Sequence, residues 1–108
     1  MIDASDRAEI LHLAADSDWA DRSSSHYQPA AFEAEGFVHC CIPAQLPGVV
    51  SRYYEGRSDV VMLLLDESKL DAPLVWEDTS GSGDEFPHVY GPIALEAVLS
   101  CLPFDPGV

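Results

Sequence analysis

Apolar residues alternate with polar ones, or with each other, in several short stretches of the chain, and a period of two predicts β-strands. From Glu9 to Ala15 the alternation sends Ile10, His12 and Ala14 to one face and Leu11, Leu13 and Ala15 to the other. From Phe37 to Ile42 it separates Phe37, His39 and Cys41 from Val38, Cys40 and Ile42. Residues 60–65, Val-Val-Met-Leu-Leu-Leu, are apolar at every position. That is the pattern of a strand covered on both faces, so Asp59 to Asp66 is expected to be the central and most protected strand. Leu74 to Glu77 reads as a further short strand, and in Leu95 to Leu102 apolar Leu95, Ala97, Leu99 and Cys101 alternate with Glu96, Val98 and Ser100.

Helical segments fall between these strands. Asp16-Ser17-Asp18 offers N-caps and first-turn acids for a short helix over Asp18 to Ser24. Ala31 to Glu35 adds a helical turn that Gly36 ends, after a loop carrying His26, Tyr27 and Pro29. A longer helix is expected from Pro43 to Tyr54, closed by Gly56 and weakened by Pro47 and Gly48. Glu67 to Asp71 is a turn. Asp78 to Pro87 contains Ser80-Gly81-Ser82-Gly83 and is expected to be flexible, with residues 78–84 gating any adjacent cleft. Helices do not separate every pair of strands, so the fold class expected is α+β, a small split β-sheet domain with short helices.

At 108 residues the chain is long enough for a single core, and it is read as one domain over 1–108. Nineteen acidic residues against five basic ones give a net charge of −14. Such a surface repels phosphate backbones and disfavours nucleic-acid partners, and Arg7, Arg22, Arg52, Arg57 and Lys69 are scattered in sequence. The longest apolar run is too short to span a bilayer. The start Met1-Ile2-Asp3-Ala4-Ser5-Asp6 is acidic where a signal peptide carries basic residues. Three cysteines, two of them adjacent, do not form a disulfide framework, and a reducing, cytoplasmic setting is expected.

Chemistry concentrates where polar side chains interrupt apolar or rigid stretches. His12 and His39 each sit inside an apolar strand, and His88 lies between Pro87 and Pro92 in Asp84-Glu85-Phe86-Pro87-His88-Val89-Tyr90-Gly91-Pro92. Each is either a hydrogen-bonded histidine of the interior or a site residue, and three of one kind point to a common cleft. Gly81 and Gly83 do not make a phosphate-cradling loop, because no Lys-Ser or Lys-Thr follows and acids flank them. No pair of His or Cys has zinc spacing, so no metal ligand is assigned. A buried, inert Cys41 is the commoner case than a nucleophile. No Gly-x-Ser-x-Gly is present.

Ile10-Leu11-His12-Leu13-Ala14, Ala34-Glu35-Gly36-Phe37-Val38-His39-Cys40, residues 59–66, Val75-Trp76-Glu77, Phe86-Pro87-His88-Val89-Tyr90-Gly91-Pro92-Ile93 and Leu102-Pro103-Phe104 together resemble the mainly bacterial family catalogued as domain of unknown function 952, in order and over nearly the whole chain. The resemblance implies the ADP-ribosyltransferase fold, shared with tRNA 2′-phosphotransferases, in which NAD lies between two small sheets. By that resemblance His12 holds a ribose, His39 orients the reacting ring, and His88 or Glu85 stabilises a cation or acts as base. His39, His88 and Glu85 are thus the expected catalytic residues, and His12, Phe37, Tyr90 and Cys41 the expected ligand-binding ones. NAD or another nucleotide is the ligand implied, although none of the five basic residues falls within the three motifs. The alternatives are a module that binds a small metabolite without chemistry and a protein-interaction domain whose histidines are structural. The sequence carries no signal for an oligomeric state.

Overall fold

The computed structural model describes residues 9–79 and 81–104; the acidic N-terminal residues and Ser80 lie outside them. Among the described residues eight strands form three antiparallel sheets. Strands β1 (Ile10–Ala15), β4 (Val60–Leu65) and β8 (Val98–Phe104) pair in the order β1-β4-β8. Strands β3 (Val38–His39), β6 (Phe86–Val89) and β5 (Leu74–Glu77) pair in the order β3-β6-β5. Two-residue strands β2 (His26–Tyr27) and β7 (Ile93–Ala94) form the third pair. The helices are short, and the architecture is α+β with split antiparallel sheets. No helix among the described residues is long and apolar enough to cross a membrane.

Among the described residues one isolated bridge joins β1 to the chain just after β3, where Leu11 N–H donates to the Cys41 carbonyl at 2.7 Å and Cys41 N–H to the Leu11 carbonyl at 2.8 Å. The expected strand from Phe37 to Ile42 is therefore split, two residues pairing with β6 and Cys41 pairing with β1. Between the sheets lies the core, built on Ile10, Tyr27, Ile42, Leu63, Leu65 and Ile93 among others.

Strand β4 is central in its sheet, but its two faces are unequally covered. Leu63 and Leu65 enter the core, while Met62 and Leu64 on the reverse face are half-buried. The continuous apolar run overstates the cover because methionine and leucine remain apolar under partial shielding.

Helix α1 (Asp16–Ala20) begins two residues before its expected start. Asp16 N–H donates to the Asp59 carbonyl at 2.8 Å, so β1 runs directly into the helix and no side chain caps it. Helix α2 (Phe32–Glu35) ends at Gly36, whose φ of 83° is the left-handed conformation expected of a glycine cap. Residues 43–54 wind continuously, as a 3-10 turn (Pro43–Gln45), helix α3 (Leu46–Val49) and a π-turn (Val50–Tyr54). Pro43 and Pro47 both fall in first turns, where a missing N–H is tolerated. At the C-terminal end, Leu95–Ala97 forms a 3-10 turn, so β8 starts three residues later than the alternation suggested.

The loop 78–84 has an internal organiser. The Asp78 carboxylate accepts from the N–H groups of Gly81 at 2.9 Å, Ser82 at 3.1 Å and Gly83 at 2.8 Å. Asp78→Ala is expected to speed hydrogen exchange at these three amides by about tenfold or more, at about 1 kcal/mol per bond lost. Unchanged exchange rates would show that the carboxylate does not hold the loop.

Candidate functional site

A cavity of about 410 Å³ opens between the reverse face of β1, the β3-β6 pair and the chain from Val49 to Arg57. Its size falls at the low end of the range for small-molecule sites. Leu11 and Leu13 form an apolar wall, Cys41 lies beside Leu11 at the bridge, and His39 and His88 come from the other sheet.

His39 and His88 are register partners across β3 and β6. Adjacent strands bring their rings edge to face, with centroids 5.0 Å apart. Phe37 stacks on His88 at 4.2 Å and meets His39 edge-on at 4.7 Å, so it buttresses both imidazoles. Each imidazole has its own carboxylate. His39 Nε2 bonds Glu35, which Gly36 turns back toward the strand. His88 Nδ1 donates to Glu77 at 2.9 Å, and the Tyr90 hydroxyl donates to the same carboxylate oxygen. The Tyr90 hydroxyl first and His88 second hold the Glu77 carboxyl below its usual range.

Because Nδ1 of His88 is the donor, the neutral ring carries its lone pair on Nε2. His88 is only 2% exposed yet lines the cavity, and its Nε2 has no partner among the described residues. A histidine oriented by a carboxylate, with its second nitrogen free, has the arrangement of a general base.

His12 is placed differently from expectation. It is 5% exposed and sits on the core face of β1, behind the cavity wall. Both ring nitrogens are engaged: Nδ1 donates to the His39 carbonyl at 2.6 Å, and Nε2 accepts from the Tyr27 hydroxyl at 2.8 Å. Burial lowers its pKa to about 4, so it is neutral at pH 7 and fixes the strand that carries His39. Of the three histidines, two share the cavity and the third supports it from behind.

Glu85 is exposed in the loop before β6 and lies outside the cavity lining. Its carbonyl accepts from Gln45 Nε2 at 2.7 Å, which fixes backbone rather than presenting the carboxylate. Cys41 lines the cavity, but burial pushes its thiol up to about 12, which leaves it protonated and a poor nucleophile. Among the described residues no three His, Cys, Asp or Glu side chains converge on a point suited to a metal ion.

Sequence reasoning passed over the groups on the far wall. Arg52, Tyr53, Tyr54 and Arg57 all line the cavity. In a π-turn more residues share each turn, so consecutive side chains diverge less than in an α-helix, and such turns recur at functional sites. Glu35 and Glu77 were inside the quoted motifs without an assigned role; the former lies four residues before His39, a spacing that was readable.

A family model described as protein of unknown function, DUF952, matches residues 13–101. Comparison with curated proteins gave no match. The fold is similar to the crystal structure of protein CC0527 from Caulobacter crescentus, with a TM-score of 0.78, 24% identity and coverage of 90% of this chain and 86% of that one. The solution NMR structure of CC0527 is similar with a TM-score of 0.75, 24% identity and coverage of 91% and 85%. The similarity supports a small α+β domain with split antiparallel sheets and does not support the expected ADP-ribosyltransferase fold. With most of its length matched by the family model, the chain belongs to the DUF952 family.

Proposed function

We propose that the cavity binds a small ligand of the nucleotide class and that His88, backed by Glu77, exchanges a proton with it. The observation that carries this reading is the pair of imidazoles at one wall, each oriented by its own glutamate, with His88 Nε2 unengaged among the described residues. The reaction it suits best is hydrolysis at the glycosidic bond of NAD or a related nucleotide. The carbon–nitrogen bond breaks with its electron pair leaving on the base, and water adds to the sugar carbon. The proton lost from that water passes to His88 Nε2. A carboxylate and an imidazole pair near the sugar are suited to the oxocarbenium-like charge that develops. Glu85 retains a role only if the loop 78–84 closes over the cavity, and Phe37, Tyr90 and Cys41 act as the packing and orienting groups around the two histidines. His12 positions rather than contacts the ligand.

Binding without chemistry is the second reading, favoured by the ties that already close Glu35 and Glu77 onto their histidines. Calorimetric titration with NAD and ADP-ribose, followed by a glycohydrolase assay, distinguishes the two. His39→Ala is expected to fold with a loss of about 1 kcal/mol, because the side chain is half exposed and leaves no hole in the core. It is expected to weaken ligand binding by about tenfold or more through the lost hydrogen bond. A well-folded His39→Ala protein binding as tightly as the parent would remove His39 from the site.

A further inference from the structure

The chain carries five basic residues in a protein of net charge −14, and two of them, Arg52 and Arg57, line the cavity. Among the described residues the lining contains one carboxylate, Glu35, and it is bonded to His39. Two of the five basic residues of an acidic protein are thus gathered at one cavity. The two guanidinium groups are not equivalent. Arg57 is clamped by Asp59 through two bonds, Nε to Oδ1 at 2.9 Å and the second nitrogen to Oδ2 at 2.8 Å. Arg52 makes no ion pair with any described residue and is exposed at the cavity mouth. Beside it Tyr53 is 65% exposed and also lines the cavity. An aromatic face left to water next to an unpaired planar cation offers an apolar platform and a bidentate anion donor side by side.

We infer that Arg52 and Tyr53 form the recognition end of the cavity, taking a phosphate monoester attached to a planar heterocycle: the phosphate on Arg52, the ring against Tyr53. This rests on the proposed ligand-binding reading and narrows it to a mononucleotide. Arg57, already neutralised by Asp59, braces the Tyr54 ring, with its guanidinium carbon 5.4 Å from the ring centroid, and does not carry the anion. Glu35 is held by His39, and Glu77 lies outside the cavity lining.

The test is calorimetric titration of the parent, Arg52→Gln and Arg52→Lys with three probes, AMP, adenosine and inorganic phosphate, at one fixed ionic strength. Thermal unfolding confirms that each variant is folded. In the parent, AMP is expected to bind at least about tenfold tighter than adenosine, the advantage of a charge-assisted pair. Arg52→Gln is expected to erase that gap while leaving adenosine binding in place, and Arg52→Lys to restore part of it, since an ammonium keeps the charge without the fork. Equal binding of AMP and adenosine by the parent overturns the phosphate site while the ligand-binding reading stands. A gap that survives in Arg52→Gln assigns the phosphate elsewhere and also overturns it. Absence of binding by all three probes overturns this inference together with the nucleotide reading beneath it.

Discussion

Leu63→Asp is expected to abolish cooperative folding. Leu63 has no solvent exposure, lies at the middle of the central strand of its sheet and packs into the common core. An aspartate there has no described cation within the core to pair with, and an uncompensated buried charge costs several kcal/mol. A domain of this size has a total stability of only about 5 to 15 kcal/mol. Met62→Asp, one residue earlier on the half-buried face, can hydrate its carboxylate and is expected to lose no more than about 1 to 2 kcal/mol. Near-UV circular dichroism and a thermal scan on both variants make the comparison. A Leu63→Asp protein that melts within a few degrees of the Met62→Asp one would mean that the two faces of β4 are equally open.

Acid is expected to destabilise the domain through His12. Its folded pKa of about 4 lies below the ordinary value of 6.5 because burial disfavours the imidazolium. Below pH 6.5 the unfolded chain takes up a proton at this residue that the folded chain refuses. The stabilisation is therefore complete above pH 6.5 and is lost as pH falls toward 4. The loss amounts to about 3 kcal/mol. Carboxylates add an acid dependence of the same sign, so the contrast must come from His12→Gln, whose amide can donate to the His39 carbonyl and accept from Tyr27 without titrating. Urea unfolding at pH 7 and pH 4.5 should show a smaller fall for His12→Gln than for the parent. Equal falls would mean that His12 is solvated in the folded state. His12→Leu, by contrast, leaves two buried polar groups without partners and is expected to lose about 1 to 3 kcal/mol for each at every pH.

Much of the fold was readable where a pattern repeats over several residues. The strand β1, the strand β4, the Gly36 cap and the winding of residues 43–54 all follow from period and cap chemistry. The pair β2 and β7 did not, because two residues are too few to display any period. The split at Cys41 was equally hidden, since pairing with β1 is decided by tertiary contact. For the site, alternation identified His12 as a polar residue on an apolar strand but could not say which face was interior. The same limit explains Arg52 and Arg57: scattered along the sequence, they reach the cavity only because the π-turn and the closing Gly56 direct them there.

The bridge between Leu11 and Cys41 gives the cavity a mechanical character. Leu11 and Leu13 belong to one sheet and His39 and His88 to the other, and the two walls are joined by the bonds of the bridge, by the His12 bond to the His39 carbonyl and by the core between the sheets. The distance between the leucines and the imidazoles is therefore set by backbone pairing and core packing together rather than by side-chain rotamers alone.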